Sequence, residues 1–255
     1  MTDSSAPVVT DHANPWTAAA RDLLIAWNAE PTIGRPTTYR LGEGLTAWFD
    51  SQTLPTPERA RELGVPRTQL LRAQEVAARA AERAARERER ADHLGARLVT
   101  RLDDSYPRAL LDLPLAPPVL AVSGELPLAP TVAIVGSRRA SPYGREVAET
   151  FARALAAHGV VIVSGFARGV DAAAHRGALA ANGGRTLAVL GCGLGVDYPS
   201  GHAALGVDIA RQGALISEFP CLAGPRTWHF PVRNRVIAAL AGAVLVVQAA
   251  TRSGS

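Results

Sequence analysis

From Val132 onward the chain alternates short apolar runs with helical segments, and this alternation limits its fold more than any other feature. Strand-like Val132–Val135 leads to a helix over Tyr143–His158 closed by Gly159, and Val160–Val163 leads to a helix over Ala172–Ala181. Thr186–Leu190 is followed by a helix over Ala203–Gln212, and Ala214–Ile216 by a loop, a helix over Asn234–Ala241 and the run Ala243–Val247. The runs carry no polar residue at every second place, as expected of strands buried on both faces. Repeated strand–helix units of this kind predict an α/β fold: a Rossmann-like, doubly wound, mostly parallel sheet.

What precedes this region reads differently. Residues 1–15 are small, polar and proline-punctuated, a composition expected to be disordered. Apolar residues then recur at helical spacing from Trp16 to Phe49, and Pro31–Gly44 divides them into two short helices. Thr56-Pro57-Glu58 is a helix start, with threonine as cap and proline at the first helical position, and Gly64 ends that piece. Pro66–Leu94 reads as one long helix supported by Glu75–Arg79 and Glu82–Arg86 pairs. Its acids nearly match its bases, which favours a solvated connector over a nucleic-acid-binding face. Between 95 and 130 the runs Arg97–Thr100 and Val119–Val122 flank a proline-pinned segment and are expected to lay a strand against the sheet. The resulting division is 1–15 disordered, 16–94 a helical domain with its connector, and 95–255 the α/β domain.

All 27 basic side chains are arginine, and the net charge is +4. Guanidinium forks suit phosphates and stack on bases, although a biased genome produces the same composition. Two cysteines, Cys192 and Cys221, lack metal-ligand spacing and provide no disulfide framework, which fits a reducing cytoplasm. No signal peptide is evident in the first residues. The longest apolar stretch, Val236–Ala250, is shorter than a membrane span and is interrupted by Gly242 and Gln248. No membrane association, metal or cofactor is therefore expected.

In a doubly wound sheet, ligands gather outside the carboxyl ends of the strands. Four segments fall there: Gly136-Ser137-Arg138-Arg139, Ser164–Gly169, Gly191–Gly195 and Ser217–Arg235. The stretch Thr131–Gly144 joins a strand to a helix start, a junction that binds anions through unpartnered N–H groups. Glycines permit close approach of a ligand, yet any tight strand-to-helix turn also needs them. Neither the dinucleotide fingerprint nor a P-loop lysine is present. Asp171 and His175 read as a helix cap and a local hydrogen-bonding residue rather than a catalytic or metal pair. Tyr143 and Tyr198 read as packing residues, and Cys192 as a small residue at the core edge. Arg233 and Arg235, placed at a helix start, oppose its dipole unless an anion or carboxylate sits beside them.

The segments VAIVGSRRASPYG, SGFARGVDAAAH, GGRTLAVLGCGLGVDYP, GALISEFP and FPVRNRVIAAL, in this order, closely resemble the DprA/Smf family of DNA-processing proteins. SYPRALLDLPLAPPVLAVSGEL also resembles the segment before that family's Rossmann domain, and the N-terminal helices loosely resemble its SAM-like domain. The resemblance implies a non-enzymatic, cytoplasmic protein that binds single-stranded DNA in natural transformation (competence) and recombination. It would protect incoming strands, help load the RecA recombinase and form a homodimer. Carried over by position, Arg138, Ser164, Gly165 and Gly169 match phosphate-binding positions on one side of a groove, and Arg233 and Asn234 those on the other. Phe166 and Phe230 are candidates for base stacking, with core packing expected of at least one. Family members continue beyond the SGS motif, so a chain stopping at Ser255 is expected to be a shortened one with an exposed sheet edge. The alternative is a nucleotide-binding or nucleotide-hydrolysing Rossmann-like enzyme related to LOG-type phosphoribohydrolases. Their PGGxGT-type loop with its nearby glutamate is not found here.

Overall fold

A computed structural model describes residues 15–48 and 56–249; residues 1–14, Phe49 and the C-terminal Ser-Gly-Ser, on which some expectations fell, lie outside the described residues. The helices ahead of the sheet are α1 (Pro15–Ala29), α2 (Arg35–Trp48), α3 (Pro57–Glu62), α4 (Arg67–Ala77) and α5 (Ala80–His93). Thr56 caps α3 as its sequence predicts, accepting the Arg59 N–H at 3.3 Å. The break between α1 and α2 is much shorter than Pro31–Gly44. The Gly34 carbonyl accepts the N–H groups of Thr37 (2.9 Å) and Thr38 (3.1 Å), so the helix already starts there and Pro36 sits harmlessly in its first turn.

The long helix expected over Pro66–Leu94 is two helices. Arg79 leaves helical geometry (φ −128°, ψ 30°). The turn there tightens, with the Arg79 N–H donating to the Val76 carbonyl at 3.1 Å, and six residues earlier buried Trp27 donates its indole N–H to the Ala73 carbonyl at 2.9 Å. Glu75 consequently pairs with Arg72 (2.7 Å) instead of Arg79, whereas Glu82 and Arg86 pair as expected. Nor is α5 simply solvated, for it buries Ala80, Ala84, Glu87 and Ala91. Arg83, Arg88 and Arg90 pair with Glu30, Asp22 and Glu87, so much of this module's positive charge is neutralised locally.

The sheet contains β1 (Ala96–Thr100), β2 (Val119–Gly124), β3 (Thr131–Val135), β4 (Val161–Ser164), β5 (Thr186–Val189), β6 (Ala214–Ser217) and β7 (Ala243–Val246), in the order β1-β2-β6-β5-β4-β3-β7. Strands β3 to β7 run parallel, and β1 and β2 add an antiparallel hairpin beside β6. Helices α6 (Pro142–Ala157), α7 (Val170–Leu179) and α8 (Ala203–Gln212) cover one face; α9 (His229–Ala239) lies on the other.

Burial on both faces explains the unalternating apolar runs. Val161 and Val163 pack on the α9 face and Ile162 on the α6–α7 face; Leu187 and Val189 likewise oppose Ala188. The helical module closes against β1 and β2 through Val119, and through Ala91 beside Ala96 and Ala121. Among the described residues β7 is an edge strand, with Val244 and Val246 about half exposed. No described helix is long and apolar enough to cross a membrane.

Candidate nucleic-acid interface

Strand order reverses at β3, which has β4 on one side and the later β7 on the other. At such a switch point the loops leaving neighbouring strands diverge and open a crevice. A cavity of about 600 Å³ lies there, between the Gly136–Arg139 loop and the first turns of α9. A second, of about 390 Å³, adjoins it over the ends of β4 and β5, lined by Gly165, Arg168, Gly191 and Tyr198. Arg138, Arg139, Ala167 and Phe230 line both cavities. The Arg138 guanidinium carbon stands 4.4 Å from the centre of the Phe230 ring, and Tyr198 lies 5.6 Å from the same ring. A cation stacked on an aromatic face thus divides one continuous groove.

Three exposed arginines border the groove, and none has a carboxylate within salt-bridge distance among the described residues: Arg138, Arg139 and Arg168. Arg168 donates to the Ser200 carbonyl (3.3 Å) and hydroxyl (3.1 Å). Sequence reasoning gave Arg168 and Ser200 no role in the site and read Tyr198 as a packing residue. An arginine between glycines at a strand end was the available signal for the first. Asp197 is the acidic member of the second cavity.

Other candidate residues support the groove from beneath. Ser164 is fully buried and donates its hydroxyl to the Ile134 carbonyl at 2.6 Å. Gly169 has φ +83°, and a Cβ there would lie 2.2 Å from the Ser137 carbonyl oxygen, so its bare backbone seats the loop that carries Arg138. At Gly165 an added Cβ would lie 2.6 Å from an Asp171 oxygen and 2.7 Å from Arg233 nitrogens. Phe166 (φ 61°) is buried between His202, edge-on at 5.3 Å, and His175 at 6.2 Å, and belongs to the core under α8. Phe166 thus packs in the core and reaches only the edge of the second cavity, whereas Phe230 is the aromatic that lines both cavities.

Several local expectations are corrected. Helix α9 begins at His229, not Asn234, because Pro231 sits within its first turn, where proline is tolerated. Arg233 and Arg235 are thus inside the helix, and the argument from its dipole does not apply to them. Arg233 is 4% exposed; its Nη1 donates to the carbonyls of Gly165 and Val189, and its Nε to the Asn234 Oδ1 at 3.2 Å. Arg235 pairs with buried Glu218 at 2.6 Å.

The junction after β3 is not an open anion nest either. The Ser141 hydroxyl accepts the Gly144 N–H (3.0 Å), and the Gln248 side-chain oxygen accepts the Ser141 N–H (3.0 Å). At α7, the Val170 N–H goes to the Ser137 carbonyl (3.2 Å). Positive potential in the groove therefore comes chiefly from guanidinium groups.

Asp171 does not cap α7, whose N-cap is Gly169; its carboxylate instead accepts the Ala167 N–H at 3.3 Å. Burial raises its pKa, with the Arg233 charge opposing. His175 is the local hydrogen-bonding residue expected. Its Nδ1 lies 2.7 Å from the Thr186 hydroxyl, which donates to the Ile162 carbonyl, so the ring nitrogen is the donor. Tyr143, expected to pack, is 75% exposed. Cys192 is buried, and burial pushes its thiol pKa up to about 11.

The model of the DNA recombination-mediator protein A family matches residues 97–255. Protein Smf of Escherichia coli K12 is 47% identical over 153 residues, 59% of this chain and 41% of that protein. DNA processing protein DprA of Streptococcus pneumoniae R6 is 44% identical over 156 residues, 60% of this chain and 55% of that protein. The chain thus spans about half the length of these curated relatives. The crystal structure of S. pneumoniae DNA processing protein A superposes with a TM-score of 0.76 and 32% identity, covering 94% of this chain and 80% of that one. DNA processing protein A from Helicobacter pylori, solved to describe its single-stranded DNA binding mode, gives a TM-score of 0.56 and 35% identity over 62% of this chain and 72% of that one. With its doubly wound sheet and a family match over well more than half its length, the chain belongs to the DNA recombination-mediator protein A family, the DprA/Smf proteins.

Proposed function

We propose that the chain binds single-stranded DNA in the groove at the ends of β3, β4 and β5, as a non-enzymatic protein of DNA processing. The observation that carries this reading is the set of three exposed arginines, none in a salt bridge among the described residues, around two adjoining cavities, with Arg138 stacked on Phe230 where they meet. A phosphodiester track needs guanidinium forks along its length, and a sequence-tolerant single-strand site adds an aromatic on which a base stacks. The single-stranded DNA binding described for the H. pylori relative supports the same reading.

Arg138 contacts phosphate directly in this reading, and Phe230 offers the stacking face. Ser164, Gly165, Gly169, Arg233 and Asn234 shape the wall and hold the loops. A helical, SAM-like part to residue 94, an extended Rossmann part beyond it, homodimer formation, strand protection during transformation and RecA loading complete the proposal.

Titration of a fluorescent single-stranded oligonucleotide at several salt concentrations tests it. For Arg138→Ala, loss of one phosphate contact should flatten the slope of log K against log salt by about 0.7. An unchanged affinity and slope would overturn the groove assignment. Release of free base from nucleoside monophosphates would favour the hydrolase alternative.

A further inference from the structure

One buried carboxylate joins the helical module to the helix that forms the groove wall. Glu218, 2% exposed, directly follows β6. Its Oε2 accepts from Arg235 Nη2 on α9 at 2.6 Å and from the Tyr39 hydroxyl on α2. Its backbone carbonyl accepts from Arg35 of α2 and from Asn28 of α1 at 3.4 Å. The Arg235 guanidinium also stacks 4.9 Å over the Tyr39 ring and donates to the Leu115 carbonyl at 3.0 Å. Arg35 lies 5.1 Å from the Tyr39 ring and 5.2 Å from that of Phe219. Of the charges around Glu218, Arg235 holds its carboxylate and Arg35 its backbone carbonyl, and Arg233 also lies within electrostatic reach.

Helix α9 has two working sides. Phe230 and Asn234 line the first cavity, while Arg235, the next residue, points away into the Glu218 cluster. Phe230 and Arg235 are separated by only about 7.5 Å along the helix axis, so a shift in one end is felt at the other. Phe219, packed under Arg35, stacks on His229 with ring centres 3.9 Å apart, and His229 lies 3.0 Å from the Gly191 carbonyl. The cluster therefore grips α9 at its first residue and again in its middle.

We infer that Glu218 is a positioning residue for the DNA groove: with Tyr39 and Arg235 it makes the placement of Phe230 depend on the docked helical module. The inference rests on the groove reading above for its DNA readout, but its mechanical content does not.

Tyr39→Phe removes a single hydroxyl while keeping the ring, and Glu218→Gln removes the charge at nearly constant volume. Both are to be made in the full chain and checked for folding by circular dichroism. Hydrogen exchange should quicken in the amides of α9 in Tyr39→Phe while those of β4 and β5 stay unchanged. Single-stranded oligonucleotide affinity should fall about 3- to 10-fold in either variant. On a Phe230→Ala background the same changes should cost less than about twofold, because the group being positioned is gone.

Unchanged α9 exchange in folded Tyr39→Phe would overturn the inference, as would an equal loss of affinity in both backgrounds. Should the parent chain fail to bind the oligonucleotide, the groove reading falls. The exchange measurement would then still decide whether the cluster holds α9.

Discussion

Arg233→Ala removes a guanidinium that is 4% exposed and whose Nη1 donates to the carbonyls closing β4 and β5. Hydrogen bonds to a charged group contribute about 1.5–3 kcal/mol each, and the two carbonyls would lose their donor inside the protein. Asp171, 5% exposed, would also lose the positive charge facing it across Gly165. Breaking a buried ionic arrangement from one side costs about 3–5 kcal/mol in total, and these contributions overlap rather than add. The expected destabilisation is therefore about 3–5 kcal/mol, read by urea denaturation at neutral pH. Arg138→Ala is the control. It loses an exposed side chain and its contact with Phe230, worth about 0.5–1 kcal/mol.

The variants should separate cleanly: Arg138→Ala keeps its stability and loses oligonucleotide affinity, whereas Arg233→Ala loses stability first. A pH signature accompanies the second. Burial already raises the Asp171 pKa above its ordinary value of 3.8, and Arg233 opposes the rise. Without Arg233 the folded state binds the proton more tightly still. Stability of the variant should then fall as pH rises from about 3.8 through the raised folded value, and its deficit should shrink on acidification. An Arg233→Ala protein within about 1 kcal/mol of the parent, yet losing affinity as Arg138→Ala does, would refute this buried-strut account.

Two further outcomes follow from the same structure. Gly169→Ala places a Cβ 2.2 Å from the Ser137 carbonyl oxygen at φ +83°; strain at such a position alone costs about 1–3 kcal/mol, so melting temperature and oligonucleotide affinity should fall together. His175, fully buried and held at a pKa of about 3 by burial, should cost stability as pH falls below its ordinary value of 6.5. The loss should reach about 2 kcal/mol near pH 5; His175→Gln should show a flatter pH dependence, and equal slopes would contradict the assignment.

The reading of the groove shows where sequence reasoning succeeds and where it stops. The segments Gly136–Arg139 and Ser164–Gly169 do meet at the strand ends, because parallel strands with short loops bring their carboxyl ends together; of Gly191–Gly195 only Gly191 reaches the groove, since Gly193 and Gly195 pack against residues 220–222. Arg138 and Phe230 stand together in the wall between the cavities. That Phe166 is mostly buried in the core while Phe230 lines both cavities is invisible in sequence, since both are phenylalanines beside strand ends. The direction of each side chain depends on residues far along the chain, His175 and His202 for one and Arg138 and Tyr198 for the other.

Sequence by itself determined the alternation of strands and helices from Thr131 to Val246, the Thr56 cap and the family motifs, because caps and burial periodicity are local properties of neighbouring residues. Tertiary structure alone decided what each charged residue does. It broke the long helix at Arg79, started α9 five residues early, buried Arg233 as a strut between β4 and β5, and left Arg138, Arg139 and Arg168 facing the groove. An arginine has the same side chain in every case. Whether it supports a fold or meets a phosphate depends on the partners that distant strands bring to it, and those partners are set only when the sheet closes.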